Sequence, residues 1–388
     1  MKISHVLGLC ALLLATTAGI AAAEPPANFA RGVNLSHWLQ YDGRQPVRAA
    51  DMSAIRAAGF DHVRIPFDPV LLGWQPLVVA PSGDLAMPSQ QRLEDAVDMA
   101  LAANLAVIVD FHPATATEEL IEGNQQARDS FVELWSRLAR RLASRPANRV
   151  AFEIMNEPQY YERGATAWNV LQSRAATAIR AVAPKNLLLL SPIHGSELDA
   201  LARLAPIDDA NSCTVFHFYD PQLLTHLGAD WDPYPDKAQG MMRGLVYPSS
   251  AMTMSKVEML PNANIRLVGQ AVLKYLGEGW NGKHIAERID IAKQWAAEHH
   301  SCLVASEFGV LRGTLDPASR NAWLVDVRSA FEHAGIGWTV WDYADVFGIA
   351  TGSGSVARLG GGATQVLDAE HFTRDFDPAA LHALGLTP

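Results

Sequence analysis

Several apolar, strand-like runs of this sequence end in side chains able to do chemistry. Arg64 lies in HVRIP, Asp110 and His112 in DFHP, Asn156 and Glu157 in MNEP, His217 and Tyr219 in HFYDP, Glu307 in SEFG, and Trp341 with Asp342 in TVWDY. Each has a bland reading alone: a glutamate after a strand caps a helix or faces water, and a lone histidine sits hydrogen-bonded in a core. Six runs delivering such groups together are harder to ascribe to chance, because burying polar groups without use is costly. Glu157 and Glu307 form a possible working pair. Held ~5–5.5 Å apart, two carboxyls can cleave a glycosidic bond with retention: one attacks the anomeric carbon as an anion, the other protonates the leaving oxygen. The two roles require opposite protonation states and therefore different surroundings. Arg64 and the Tyr219 hydroxyl suit the stabilisation of an anion.

Such residues must be carried to one rim. Strand candidates are Gly32–Leu35, His62–Phe67, Ala106–His112, Val150–Asn156, Leu187–Ser191, Thr214–Tyr219, Leu303–Glu307 and Trp338–Trp341. Amphipathic segments alternate with them: Met52–Ala58, Gln90–Ala103, Ala127–Ala143, Ala165–Val182, Glu197–Leu204, Ile285–His299 and Arg320–His333. A last helix is expected to run to Leu384, with Asp377 as its N-cap and Pro378 in its first turn. Apolar strands separated by helices pair in parallel through right-handed crossovers. Eight such units predict an α/β chain folded as a single (β/α)8 barrel over residues 24–388. An open doubly wound sheet would carry GxGxxG after its first strand, and that motif is missing. Two connections are long, Pro221–Lys283 after strand six and Val346–Asp375 after strand eight, and both leave the rim where such barrels work. A helix around Ser255–Leu276 is expected inside the first.

In their order, RGVNLSHW, HVRIP, DFHP, MNEP, HFYDP, SEFG and TVWDY resemble glycoside hydrolase family 5 over residues 29–345. The resemblance implies a retaining (β/α)8 hydrolase of cellulase type. It implies Glu157 as acid/base, Glu307 as nucleophile and Asn156 as the partner of the sugar 2-hydroxyl. It further implies Arg64, His112, His217 and Tyr219 as the polar groups around the cleavage point, with Trp341 as the platform beneath the sugar. The loop after strand six is longer than in compact members. A β-1,4-glucan is the expected substrate, with β-mannan and β-1,3-glucan behind it. No metal or other cofactor is called for.

Trp38, Trp74, Trp231 and Trp280 are candidates for stacking on further sugars, or equally for core packing. Trp231 and Tyr234 share a Trp-Asp-Pro-Tyr-Pro segment whose prolines limit chain entropy. Trp135, Trp168 and Trp295 fall within helix patterns and read as packing. Two rival functions use the same residues. A metal-dependent hydrolase would have His112, His217 and the glutamates as ligands, but strand one reads Asn34-Leu35-Ser36-His37, without an HxH pair. A non-catalytic sugar-binding barrel would have no reason to keep both glutamates with Arg64 and Tyr219.

The chain has 388 residues and a formal charge of −10, with no dense basic run, which argues against a nucleic-acid partner. Lys2, the apolar run Val6–Ile20 and the Ala21-Ala22-Ala23 site read as an export signal cleaved after Ala23. The expectation is a secreted or periplasmic monomer without membrane contact after cleavage. Cys213 and Cys302 then remain, each just ahead of neighbouring strands six and seven. Adjacent strands run ~4.8 Å apart, within the ~4.4–6.8 Å Cα range of a disulfide, so a bridge is expected. Two buried free thiols are the alternative.

Overall fold

The computed structural model describes residues 23–77, 88–161, 163–205, 207–229, 231, 244–252, 265–313, 315–353, 356–358, 364–366 and 372–387. Eight parallel strands close in sequential order: β1 Arg31–Asn34, β2 His62–Phe67, β3 Ala106–Phe111, β4 Val150–Glu153, β5 Leu187–Leu190, β6 Ser212–Phe218, β7 Cys302–Phe308 and β8 Gly337–Val340. The (β/α)8 barrel expected from the alternation is the fold.

The period of two along each strand divides the protein into two cores. Val63, Val107, Val109 and Phe152 point outward to the helix ring, where they join the main apolar layer. Ile108, Ala151, Leu189, Val215 and Val304 point inward and fill the barrel floor with Phe29. Two residues further along the same inward rows stand Arg64, Asp110, Glu153 and His217, so the strand period itself lifts a polar layer above the apolar one. Gly32 is needed for this: a Cβ there would lie 2.1 Å from His62 Nε2, beneath Arg64.

On the floor, Cys213 and Cys302 are register partners. They form a disulfide with a Cα separation of 4.6 Å.

Helix starts follow their caps. Asn124 Oδ1 accepts from the backbone of Gln126 and Ala127 ahead of the helix Gln125–Leu142. Asp316 caps Pro317–Ala334, and Asp377 caps Pro378–Ala383 as expected. Between strand six and its helix, Ile265–Glu278 is helical; the part of the expected Ser255–Leu276 helix before residue 265 lies outside the described residues. So do residues 1–22 of the expected signal and Tyr234.

Three features differ from expectation. The Glu197–Leu204 segment is a 3-10 helix, Leu198–Arg203, which starts directly after Ser196 and Glu197, the residues tied to His217 on β6. A helix at Thr115–Gly123 follows β3, where no element was expected. The long segment after β8 forms antiparallel pairs: Ala350–Ser353 with Thr373–Phe376, and Val356–Arg358 with Thr364–Val366.

Candidate active site

Arg64 is fully buried at the centre of the polar layer. Its Nε and Nη2 reach the two oxygens of Glu153 at 2.7 and 2.8 Å. Nη1 donates to Asn34 Oδ1 at 2.9 Å and to Glu307 Oε1 at 2.8 Å. Nη2 also donates to Asn156 Oδ1 at 2.8 Å and stands 3.0 Å from Asp110 Oδ2. A guanidinium with all its N–H directions taken fixes the side chains around it, and removing one partner of such a buried cluster typically costs ~3–5 kcal/mol. Burial pushes Asp110 up to about 7 against the pull of Arg64.

Glu307 owes its place to an irregularity. The ladder between β6 and β7 slips so that Phe216 faces Ala305 but His217 faces Glu307. The extra residue is Ser306, whose hydroxyl reaches inward to Glu153 at 3.3 Å. A regular strand would have sent Glu307 outward after an inward Ser306; the bulge turns both inward. Glu307 Oε2 then accepts from the Tyr219 hydroxyl at 3.0 Å. Gly309 follows because the chain passes against β8: a Cβ there would lie 2.1 Å from the Trp341 carbonyl oxygen.

Glu157 stands differently. β4 ends at Glu153, and Asn156 is held by a backbone bond to Phe111 at 2.8 Å. Glu157 follows in the left-handed region with φ 44°. An unbranched residue held there signals a locally forced backbone of the kind that clusters at working sites. Its Oε1 lies 2.7 Å from His217 Nδ1, and that same nitrogen is 3.5 Å from Glu307 Oε2. One oxygen from each glutamate and a ring nitrogen of His217 all fall within 4.8 Å of one another. This matches the ~5–5.5 Å carboxyl spacing of direct displacement rather than the ~6.5–9.5 Å that admits a water between.

The surroundings of the pair are unequal. Glu307's side chain is 6% exposed and held by a cation and a phenol; Glu157's is 38% exposed and has an imidazole. Burial pushes both carboxyls above the usual range; at Glu307 His217 and Arg64 pull back, at Glu157 His112 and Arg64. Burial also pulls His217 and His112 down to about 4, so both rings are neutral near pH 7. A neutral His112 fits a proton on Nδ1, 2.9 Å from Asp110, with Nε2 accepting from Asn156 at 3.2 Å and from the Tyr41 hydroxyl at 3.3 Å. Trp341, half-buried, stacks on His112 with centroids 6.0 Å apart.

From Glu157, His217 and Tyr219 a cleft of about 630 Å³ extends between the loops after β4, β5 and β6. Residues 22–346 match the family model Cellulase (glycosyl hydrolase family 5). The chain belongs to that family. It is a retaining β-glycoside hydrolase. Endoglucanase C of Acetivibrio thermocellus is 29% identical over 331 residues, covering 81% of this chain and 91% of the relative. Endoglucanase 3 of Fibrobacter succinogenes is 24% identical over 82% of this chain and half of its own length. In fold, the chain resembles a hyperthermophilic endo-β-1,4-glucanase solved with substrate, with TM-score 0.69, 22% identity and coverage of 93% and 98% of the two chains. It likewise resembles a Thermotoga maritima structure in complex with mannotriose, with TM-score 0.69, 22% identity and coverage of 92% and 97%.

The residues singled out from the sequence divide in this family member. Arg64, His112, Asn156, Glu157, His217, Tyr219, Glu307 and Trp341 converge as described. Trp231 is 58% exposed, lines the cleft and stacks on Phe347 with centroids 6.3 Å apart. Trp38 is half-buried against the main core and is not among the residues lining that cleft. Trp74 is a packing residue: it is 4% exposed, its Nε1 donates to Ser130 Oγ, and its ring meets Phe111 edge-on. Trp280 is 5% exposed, with Nε1 donating to Glu278. Trp135 and Trp168 are buried and donate to the carbonyls of Ile154 and Ser191.

Glu153 and Tyr41 were missed. A charge inside the apolar run Val150–Glu153 was the available signal for the first; nothing near Tyr41 marks it. Glu157, His217 and Glu307 also have the composition of a metal-ligand triplet. A cation there would compete with Arg64, which already holds Glu307 at 2.8 Å.

Proposed function

We propose that this protein is an exported endo-β-1,4-glucanase working by double displacement, with Glu307 as nucleophile and Glu157 as acid/base. The observation that carries the assignment is the inequality of the two glutamates at short spacing. Arg64 and Tyr219 favour the anion at Glu307, while Glu157 faces the open cleft where a leaving group departs. In the first step a Glu307 oxygen attacks the anomeric carbon, the C–O bond to the leaving sugar breaks, and Glu157 gives that oxygen its proton. In the second, Glu157 takes a proton from water, which attacks the same carbon and frees Glu307. Asn156, whose amide oxygen accepts from Arg64 and whose Nδ2 donates one N–H to His112, keeps its second N–H for the 2-hydroxyl, and Trp341 lies under the ring.

The glucan reading draws support from relatives named endoglucanases. A fold neighbour solved with mannotriose makes mannan the second substrate to try. The Lys2-to-Ala23 leader supports export of residues 24–388 as one catalytic domain, and so does the Cys213–Cys302 disulfide, since such bonds persist in oxidising compartments. We take the working form to be the monomer.

The test is the pair of variants Glu307→Gly and Glu157→Ala. Azide should rescue the first on an activated aryl glycoside with inversion. The second should still be glycosylated by substrates with good leaving groups. Rescue of Glu307→Gly with retained configuration reverses the roles. A panel of soluble glucans and mannans, read by product chromatography, tests the substrate.

A further inference from the structure

Beyond the cleft that starts at Glu157 lies a second of about 530 Å³, lined by Tyr275, Lys274 and Glu278 of the helix Ile265–Glu278, His284 of the helix Gly282–His299, and Trp280 between them. Both volumes fall in the ~300–1,000 Å³ range of ligand sites. The two share Asp199, Asp220, Gln222 and Arg288 as lining residues, so one ends where the other begins. Arg288 is the joint. Its guanidinium holds Asp199 at 3.0 and 3.1 Å and Asp220 at 3.0 and 3.2 Å, tying the helix Gly282–His299 to the segments after β5 and β6. The pairing spreads one guanidinium over two carboxylates, so the cluster presents mostly acceptor oxygens beside a donor edge and no free cation. Such an array suits a neutral ligand bearing many hydroxyls, since each hydroxyl can give and accept a hydrogen bond.

We propose that the two clefts form one groove for the leaving-group end of the glucan chain, with the Arg288–Asp199–Asp220 cluster as the subsite at the joint and the second cleft taking sugars further along. This rests on Glu157 as the acid, which makes its side of the pair the leaving-group side. The bound chain runs from Glu157 past Trp231 and over Arg288 toward Lys274 and Trp280. Long oligosaccharides therefore gain binding that short aryl glycosides do not, and the groove fixes which bond of a short chain is cut.

The experiment compares wild type, Arg288→Met and Ala271→Trp on cellohexaose labelled at its reducing end and on an aryl cellobioside. Ala271 lines the second cleft and not the first, and takes no part in the ion pairs, so its enlargement narrows that cleft while the pairing residues themselves stay unchanged. Both variants should lower the ratio of kcat/KM for hexaose over aryl cellobioside by about five-fold, the change that ~1 kcal/mol of lost binding produces. Both should also move the preferred cut toward the reducing end, because weaker leaving-group sites let the chain slide to the other side. A merely structural Arg288 would depress both substrates together and leave the cutting pattern in place, which overturns the proposal. A shift for Arg288→Met with none for Ala271→Trp ends the groove at Arg288 and overturns the second cleft's role. Wild type that leaves cellohexaose uncut, yet turns over the aryl cellobioside, refutes the endoglucanase reading instead.

Discussion

Tyr219→Phe removes one oxygen from the site and little else. The ring meets His226 at 4.9 Å and Phe347 at 6.0 Å between centroids, contacts a phenylalanine keeps. What is lost is the hydroxyl donating to Glu307 Oε2 at 3.0 Å. A hydrogen bond to a charged group contributes ~1.5–3 kcal/mol, and one pKa unit corresponds to ~1.4 kcal/mol. The bond favours the ionised carboxylate, so its loss raises the Glu307 pKa, already above the usual range through burial. The shift should be about one to two units. Because the proposed nucleophile must be ionised, the acidic limb of the kcat/KM–pH profile reports it in the free enzyme. That limb should move to higher pH by ~1–2 units, while the basic limb, set in the proposed mechanism by the proton on Glu157, moves little. Turnover of an aryl glycoside at the optimum should also fall, since the hydroxyl orients as well as ionises. An acidic limb that stays in place while activity falls would show that Tyr219 positions the sugar and does not tune Glu307.

Three further outcomes can be measured. Cys213→Ser with Cys302→Ser opens a loop of 89 residues and should cost ~4–5 kcal/mol in the chain-entropy model, about 6 °C in Tm for a chain of this length; an unchanged melting curve would refute it. His62 is pulled by burial down to about 3, so its contribution is complete above its unfolded pKa near 6.5 and is lost as pH falls toward 3. The stability difference between wild type and His62→Gln, from urea titrations, should therefore change by ~1.4 kcal/mol per pH unit below 6.5, with wild type losing more; parallel curves would show that His62 does not stay neutral. Trp231→Ala should raise KM for oligosaccharides several-fold more than for a short aryl glycoside, whereas equal losses would place the residue in the fold.

The barrel and both glutamates were legible because local physics and tertiary need agree there. Runs such as Ala106–Phe111 are apolar on both faces, which only a strand buried between floor and helices requires. Where the site depends on a departure from regularity, pattern reading fell short. The period of two on β7 puts Ser306 and Glu307 on opposite faces, and only the slipped register against β6 brings both inward. The tryptophans failed for another reason: Trp74 and Trp231 look alike in sequence, each near a proline beyond a strand, yet one finds Ser130 beneath it and the other finds Phe347 beside open space. Neighbours distant in sequence decide that, and no local pattern contains them. The elements of the strand-eight segment were hidden by their glycines, which read as loop although the chain pairs with itself there.

Glu153 shows how the missed residues bear on the chemistry. It takes both ends of the Arg64 fork, so Arg64 cannot swing, and the remaining N–H groups are aimed at Asn34, Asn156 and Glu307. One guanidinium faces three carboxyls within its hydrogen-bonding reach, and Asp110, pushed by burial up to about 7, is where a proton can sit. Holding that proton on Asp110 leaves Arg64 more fully committed to Glu153 and Glu307. Asp110, buried behind the rim, thus acts on the charge around Glu307 through the guanidinium they share.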